Sequence, residues 1–328
     1  MTNVELSEAI KNTNMYELAC KTNAKMSLSD TETELCANLD EHFKEIGRTG
    51  CDSQHEIASF VQKVINQEIY NEPDELLDSL FDRGTIGEFD DFEAYADPKN
   101  TLVSYEAAKG GNVDRSYLDI TVVRPTYKNR QIETDISYAE LRRNGWKTVA
   151  KITEYAMAEF KNAMFADIFA TINSTITSGA DNYLACAGAA PTQAEMDKIA
   201  LYVNDRTSDG VIVGLSKYIQ AASKLAGFNS QEMLNEIHRT GALGVYDGVT
   251  MFPISGAKKL GNGNLLIQDK RIFGVAGKIG TLQMKGDVNV YQDMNNNTEN
   301  VHLMFKNFTY GFAFNNTALD KVFMAVLK

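Results

Sequence analysis

The stretch from Trp146 to Ile176 constrains the fold most, because it runs for 31 residues without a glycine or a proline. As a helix it would span ~46 Å at about 1.5 Å per residue. Its apolar residues recur at helical spacing, among them Val149, Ile152, Ala156, Phe160, Ala163, Ile168 and Ile172. Ser137 and Glu140 form a capping-box pattern that begins the helical region, and Asn144-Gly145 interrupts it. A helix of this length in a mixed chain predicts a spine rather than an average layer element.

The residues before the spine change to the period of a strand. Leu102–Tyr105 leads to Lys109-Gly110-Gly111-Asn112, which is a turn signal, and Tyr117–Val123 then alternates apolar and polar residues. A further strand is predicted from Tyr127 to Ile136. The pattern predicts a long two-stranded ribbon. It has too few apolar residues to bury both faces, and an isolated ribbon is marginal in water, so we expect it to lie on another surface.

The first third of the chain is acidic and helical. Residues 1–97 hold 22 Asp/Glu and 7 Lys/Arg, a balance of −15, whereas residues 98–328 balance at +3. Predicted helices cover Glu5–Met15 weakly, then Asp30–Ile46, residues 53–69 and a short stretch from Asp74. In the second of these, one apolar stripe is formed by Leu35, Leu39, Phe43 and Ile46. Glu88–Asp97 is typical of an exposed linker.

Helices and strands alternate in residues 186–285, which predicts an α/β unit with one central sheet. Thr192 and Glu195 cap a helix that runs to about Asn204, and further helices begin at Ser216 and Ser230. Strands are predicted at 211–215, 249–254 and 265–268, and 270–283 is strand-like. Residues 286–328 predict closing strands at 288–292, 301–305, 309–315 and 321–327.

This order of elements resembles that of tailed-bacteriophage major capsid proteins. The passage from the ribbon into the spine, Ile132–Ser137, and the segment Gly244–Ile254 are similar to stretches of that family. The resemblance covers roughly residues 96–328 and implies an α+β fold. Its parts would be a helical N-terminal arm (1–95), an extended E-loop ribbon (96–136), the spine helix with the start of the peripheral P-domain (137–185), an α/β axial A-domain (186–285), and closing P-domain strands with a C-terminal strand (286–328).

The resemblance also implies a function. Such proteins assemble with themselves as hexamers and pentamers into an icosahedral shell around double-stranded DNA, which the subunit contacts without sequence specificity. Further partners would be a portal and scaffold or decoration proteins, and the location would be the virion, assembled in the host cytoplasm. At the tip of the E-loop, the residues expected to contact a neighbouring subunit are Lys109, Gly110, Gly111 and Asn112.

Some members of the family form an isopeptide link between a lysine of the E-loop and an asparagine of a neighbouring P-domain. Lys109 or Lys128, a residue of Asn295–Asn297 and the nearby Glu299 are loosely positioned for such a link. A lysine in a ribbon and an asparagine in a turn are ordinary, so the link is not predicted here.

Motifs for chemistry are weak. Gly277-Lys278 lacks the earlier glycine of a phosphate-binding loop, and Gly261-Asn262-Gly263 lacks the third glycine and the following helix. The spacings of Cys36, His42, Cys51 and His55 do not fit structural zinc sites. Neither His238 nor His302 has a nucleophile placed beside it by a motif. We therefore predict no catalytic, cofactor or metal residues, and a protein that is not an enzyme.

Two alternatives to a phage capsid stay open, namely an encapsulin-like nanocompartment shell and a soluble α/β enzyme. The acidic arm has two hypotheses of its own: a built-in scaffold that a protease removes, or a staple that stays and joins subunits. Met1–Glu5 shows no basic start of a secretion signal, and no run approaches the ~18 apolar residues that cross a bilayer, so we expect no membrane association.

Overall fold

The computed structural model describes residues 13–49, 54–68, 74–92, 95–99, 101–106, 109, 114–225, 244–293, 299–315 and 318–328. Its helices are α1 (Met15–Ala24), α2 (Asp30–Thr49), α3 (Gln54–Glu68), α4 (Glu75–Leu80), α5 (Tyr138–Asn144), α6 (Trp146–Thr175), α7 (Gln193–Asn204), α8 (Ser216–Ser223) and α9 (Ala318–Lys321). Its strands are β1 (Phe81–Ile86), β2 (Tyr95–Lys99), β3 (Asp119–Val123), β4 (Thr126–Ser137), β5 (Tyr183–Ala185), β6 (Val211–Leu215), β7 (Val245–Tyr246), β8 (Val249–Ile254), β9 (Arg271–Val275), β10 (Gly280–Lys285), β11 (Asn289–Asp293), β12 (Asn300–Phe314) and β13 (Val322–Val326).

Helix α6 is the predicted spine, and its boundaries confirm the sequence analysis. The Ser137 side chain accepts a hydrogen bond from the Ala139 N–H and caps α5. Gly145 has a φ of +49° and separates the two helices, and a Cβ there would overlap the Asp40 carboxylate. Only glycine satisfies both conditions, so the interruption is built into the sequence.

The N-terminal helices pack against the spine of their own chain. The predicted stripe of α2 is buried, and α3 buries Ile57, Val61, Val64 and Ile65 in the same core. At the centre Trp146 stacks on Phe43 with ring centroids 6.2 Å apart and meets Phe60 edge-on at 5.7 Å. Helix α1 was not predicted, and the predicted helix Glu5–Met15 lies mostly outside the described residues. We call α1 to α4 the helical layer.

A five-stranded sheet is organised around β12, the longest strand. β4 pairs antiparallel with β12 along its length on one side, and on the other side β10 and β11 follow one another. β1 adds to β10 in parallel. The sequence predicted two strands where β12 is continuous. A bulge between Phe305 and Phe308, with Asn307 at a φ of +67°, lets one strand bend there instead of ending.

The predicted pairing of the ribbon is wrong in its second strand. Tyr127–Ile136 lies in β4 and pairs with β12, whereas β3 pairs with β2, which begins at Tyr95. Two physical reasons explain the difference. Pro125 separates β3 from β4 and cannot donate to a ladder. In addition, the apolar strand β12 gives Ile132 and Ile136 a core to face, which an isolated ribbon could not offer.

A six-stranded sheet holds the strands β5-β13-β9-β6-β8-β7. Thr192 and Glu195 form the predicted capping box of α7, and every residue of β6 is buried. Two expectations are corrected. Gly280–Lys285 belongs to the other sheet, and 265–268 contributes only an isolated bridge between Lys259 and Leu265. The predicted helix Ser230–His238 lies outside the described residues.

Among the residues that the structure describes, no helix is both long enough and apolar enough to cross a membrane.

Candidate functional site

The ribbon formed by β2 and β3 is the feature that departs most from the rest of the molecule. The two strands form a sheet of their own, joined by residues 100–118. Lys109 lies in this connection, in a turn, and is exposed. The other three residues predicted at the tip, Gly110, Gly111 and Asn112, lie outside the described residues. Their expected contact with a neighbouring subunit stays a prediction.

Apolar side chains on and beside the ribbon are exposed to solvent. Tyr117, Ile120 and Val122 are 71%, 60% and 58% exposed. Eight large exposed hydrophobic residues fall within 102–127, namely Leu102, Val103, Tyr105, Tyr117, Leu118, Ile120, Val122 and Tyr127. Alternate residues of a strand share a face, so Leu118, Ile120 and Val122 form one apolar stripe. Contiguous exposed apolar surface of this kind marks an interaction site.

The root of the ribbon is fastened to the five-stranded sheet by aromatic contacts. Phe92, which precedes β2, stacks on Tyr127, which follows β3, with ring centroids 5.9 Å apart and planes 14° apart. The Phe92 ring lies over Gly311 of β12, and the Nζ of Lys285 lies 5.8 Å from its centroid. Beside the ring is a hollow of about 410 Å³ that is lined by both polar and apolar groups. We call Phe92 and Tyr127 the clasp.

A buried carboxylate ties β4 to the spine. Asp167 of α6 receives Lys128 Nζ at 2.8 Å and Arg130 Nη2 at 2.5 Å, and the Tyr310 hydroxyl donates to it from β12. Burial raises the pKa of Asp167, but the hydrogen bonds from Arg130, Lys128 and Tyr310 outweigh burial and leave that pKa below its ordinary value. Burial and the Asp167 carboxylate together raise the pKa of Tyr310. At neutral pH, Asp167 is therefore ionised and Tyr310 is protonated, so the tyrosine hydroxyl donates to the carboxylate.

Sequence reasoning missed both the clasp and the Asp167 cluster. A signal for the cluster existed, since Asp167 interrupts the buried face of an apolar helix between Met164 and Ile168. An aspartate in such a position requires partners. No comparable signal marked the clasp, because Phe92 and Gly311 are 219 positions apart in the chain.

The weak zinc hypothesis is not supported by the residues that the structure describes. Cys36 is half-buried near the Thr22 hydroxyl, and His42 pairs with Glu56 at 3.1 Å. Cys51 lies outside the described residues. Within the described part of the chain, no group of three or more His, Cys, Asp and Glu residues could hold a metal ion.

The residues of the other weak chemical motifs make structural contacts within the chain. Gly277-Lys278 forms the connection between β9 and β10, and Lys278 pairs with Asp82. The Gly261 N–H donates to the Glu159 carboxylate on the spine at 2.9 Å. His302 faces Asp135 across the β4–β12 ladder at 2.6 Å.

The residues of the weak isopeptide hypothesis are only partly described by the structure. Lys128 is engaged by Asp167, and Asn295–Asn297 lie outside the described residues.

No protein-family model matches the sequence, and no curated protein sequence matches it. Solved structures do match. The capsid structure of the cyanophage P-SCSP1u has a TM-score of 0.52 at 9% identity, over 76% of this chain and 87% of that one. A chain of Microbacterium phage Oxtober96 gives 0.51 at 11% identity, over 78% and 93%. The capsid of the native GTA particle gives 0.51 at 10% identity, over 75% and 88%. The chain has the α+β fold of phage capsid proteins, which confirms the predicted fold class.

Proposed function

We propose that this chain is the structural subunit of a phage head. Copies of it assemble as hexamers and pentamers into an icosahedral shell that encloses double-stranded DNA. The role is structural rather than enzymatic. The location is the virion, after assembly in the host cytoplasm. Portal, scaffold or decoration proteins are further expected partners.

The observation that carries the proposal is the exposed apolar stripe of the ribbon in a chain with a capsid fold. Burying a large apolar side chain is worth about 1.5–3 kcal/mol, and the ribbon leaves several such side chains in water. The stripe gains stability only by contact with another surface. A patch that contacts a different surface of the next copy makes a head-to-tail contact, and such contacts form rings when the rotation between copies closes.

The charge is divided between two parts of the chain, and only the part after the acidic arm favours contact with DNA. Residues 98–328 carry a balance of +3, and phosphate attraction of this kind does not depend on sequence.

The helical layer supports the hypothesis of an arm that stays. Its removal would expose Trp146, which is 1% exposed in the described structure and packs against Phe43 and Phe60 of the layer. We therefore expect residues 13–80 to remain in the mature particle. Mass spectrometry of particles tests this, since an intact chain has a mass of 36.4 kDa, and a species shortened by the layer would contradict it.

The experiment for the assembly itself is electron microscopy with size-exclusion chromatography on purified protein. We expect shells, tubes or capsomer rings from the wild type. Ile120→Lys should leave a folded monomer, because a charge in the stripe would have to be buried at the contact. Ile120→Val keeps the apolar character and should assemble.

A control separates the stripe from any exposed apolar residue. Leu201 on α7 has the same exposed fraction as Ile120, 60%. Leu201→Lys should assemble far better than Ile120→Lys. A wild type that stays monomeric at high concentration with crowding agents, or equal behaviour of the two lysine variants, would contradict the proposal. Particles that enclose protein cargo and exclude DNA would favour a nanocompartment shell instead.

A further inference from the structure

We propose that the clasp is a positioning device for assembly: Phe92, seated over Gly311, fixes the direction in which the ribbon leaves the subunit. The inference rests on the proposed function and assigns residues to it. Phe92 and Tyr127 do not belong to the apolar stripe itself. They would act on assembly through the ribbon that they hold.

The position of the clasp in the chain is the first argument. Phe92 lies three residues before β2, and Tyr127 lies four residues after β3. The stacked pair therefore joins the leg that enters the ribbon to the leg that leaves it. A ribbon held at both legs keeps one direction relative to the sheet. Holding a binding element in its bound orientation lowers the entropy that association costs.

The seat of the ring is the second argument. Gly311 pairs with Tyr127 across β4 and β12, and a Cβ at Gly311 would lie 2.8 Å from Cε1 of Phe92. The ring thus occupies the space that a side chain at position 311 would fill. The Lys285 ammonium lies over the same ring, and the ring face attracts cations.

The contact between Phe92 and Gly311 can be disrupted by a substitution at either residue. Phe92→Ala removes the ring, and Gly311→Ala places a methyl group where the ring lies. Gly311 does not have a positive φ, so the backbone of the strand accepts an alanine there. The hollow of about 410 Å³ beside the ring gives it a place to move into. Gly311→Ala should therefore displace Phe92 without breaking the sheet.

The same sheet offers a matched control. Gly84 and Gly311 both pair with Gln283, one on each side of it. A Cβ at Gly84 would meet nothing closer than 4.0 Å. Gly84→Ala thus makes the same chemical change in the same row of the sheet without touching the clasp.

The test has two readouts. In the unassembled subunit, amide hydrogen exchange at Thr126–Lys128 should rise about fivefold in Phe92→Ala and Gly311→Ala. In assembly followed by light scattering and electron microscopy, both variants should form particles about tenfold more slowly than the wild type. Gly84→Ala should match the wild type in both measurements. Adding Gly311→Ala to Phe92→Ala should cause no further loss, because the methyl group then meets no ring.

Faster exchange with unchanged assembly would show a clasp that does not position the ribbon, and would overturn the inference. A further loss from Gly311→Ala in the Phe92→Ala background would overturn it too, since the glycine would then act through the strand. A wild type that never assembles would refute the proposed function, while the exchange data would still report on the clasp.

Discussion

The helical layer buries its large apolar residues, whereas the ribbon leaves residues of the same kinds exposed to solvent. In the layer, Leu39, Phe43 and Ile57 are buried against the spine of their own chain. In the ribbon, Tyr117, Ile120 and Val122 remain in solvent. Both regions are additions to the two central sheets, and only the first is completed within the chain. The comparison teaches that amphipathic patterning reveals a face to be covered, but not which molecule covers it.

The largest expected effect tests the two regions with the same type of substitution. Trp146→Ala should lower the free energy of unfolding by about 3–5 kcal/mol, because it leaves a cavity between the layer and the spine. Tyr117→Ala, at an exposed aromatic residue, should change it by less than about 0.5 kcal/mol. Urea denaturation of the unassembled subunits measures both. Similar values for the two variants would mean that the ribbon is also packed within its own chain.

The next effect concerns the strand that continues from the ribbon. Asp167→Asn should lower the free energy of unfolding by about 2 kcal/mol at pH 7, because Lys128 and Arg130 lose their anion. These two partners are each more than a third exposed, and solvent screening keeps the value below that of a fully buried pair.

This effect has a defined pH dependence. The folded-state pKa of Asp167 lies below the unfolded value of about 3.9, so the stabilisation is complete above the unfolded pKa. It is lost as the pH falls through the folded pKa. Wild type and Asp167→Asn should therefore converge in urea denaturation below about pH 4. A constant difference between them from pH 7 to pH 3 would contradict the assignment.

The smallest effect tests whether the layer gains stability from local signals as well as packing. The Asp74 side chain accepts hydrogen bonds from the N–H groups of Leu76 and Leu77 at the start of α4. Asp74→Ala should lower the free energy of unfolding by about 1 kcal/mol, and Asp74→Asn should restore most of it. Equal losses in both variants would point to the charge rather than the cap.

The features that were predicted correctly are those that depend on residues close together in the chain. The spine, its break at Gly145, and the capping of α7 by Thr192 follow from periodicity and from residues within a few positions of each other. Features that depend on distant residues were missed or wrong. β4 pairs with β12 and not with β3. The two strands predicted on either side of Asn307 are one continuous strand with a bulge. The docking of the layer around Trp146 could not be read from any one helix.

The same distinction between local and distant residues applies to the candidate site. The alternating residues 117–123 predicted a strand and placed one leg of the ribbon correctly. Its partner β2 was assigned to a linker, because the acidic residues around it are typical of a solvated segment. The clasp and its seat at Gly311 join three distant parts of the chain and carry no local pattern, whereas the one local signal for the Asp167 cluster was the aspartate on the buried face of α6.

The continuity of β3 into β4 gives the subunit a mechanical property. Only two residues separate them, so a pull on the ribbon is transmitted along the axis of β4. β4 is held to β12 through eleven registered pairs, and antiparallel hydrogen bonds lie perpendicular to the strands. A force along the strand therefore loads these bonds together in shear, instead of opening them one after another. In the proposed shell, a tensile load on the ribbon would therefore be shared among the β4–β12 pairs.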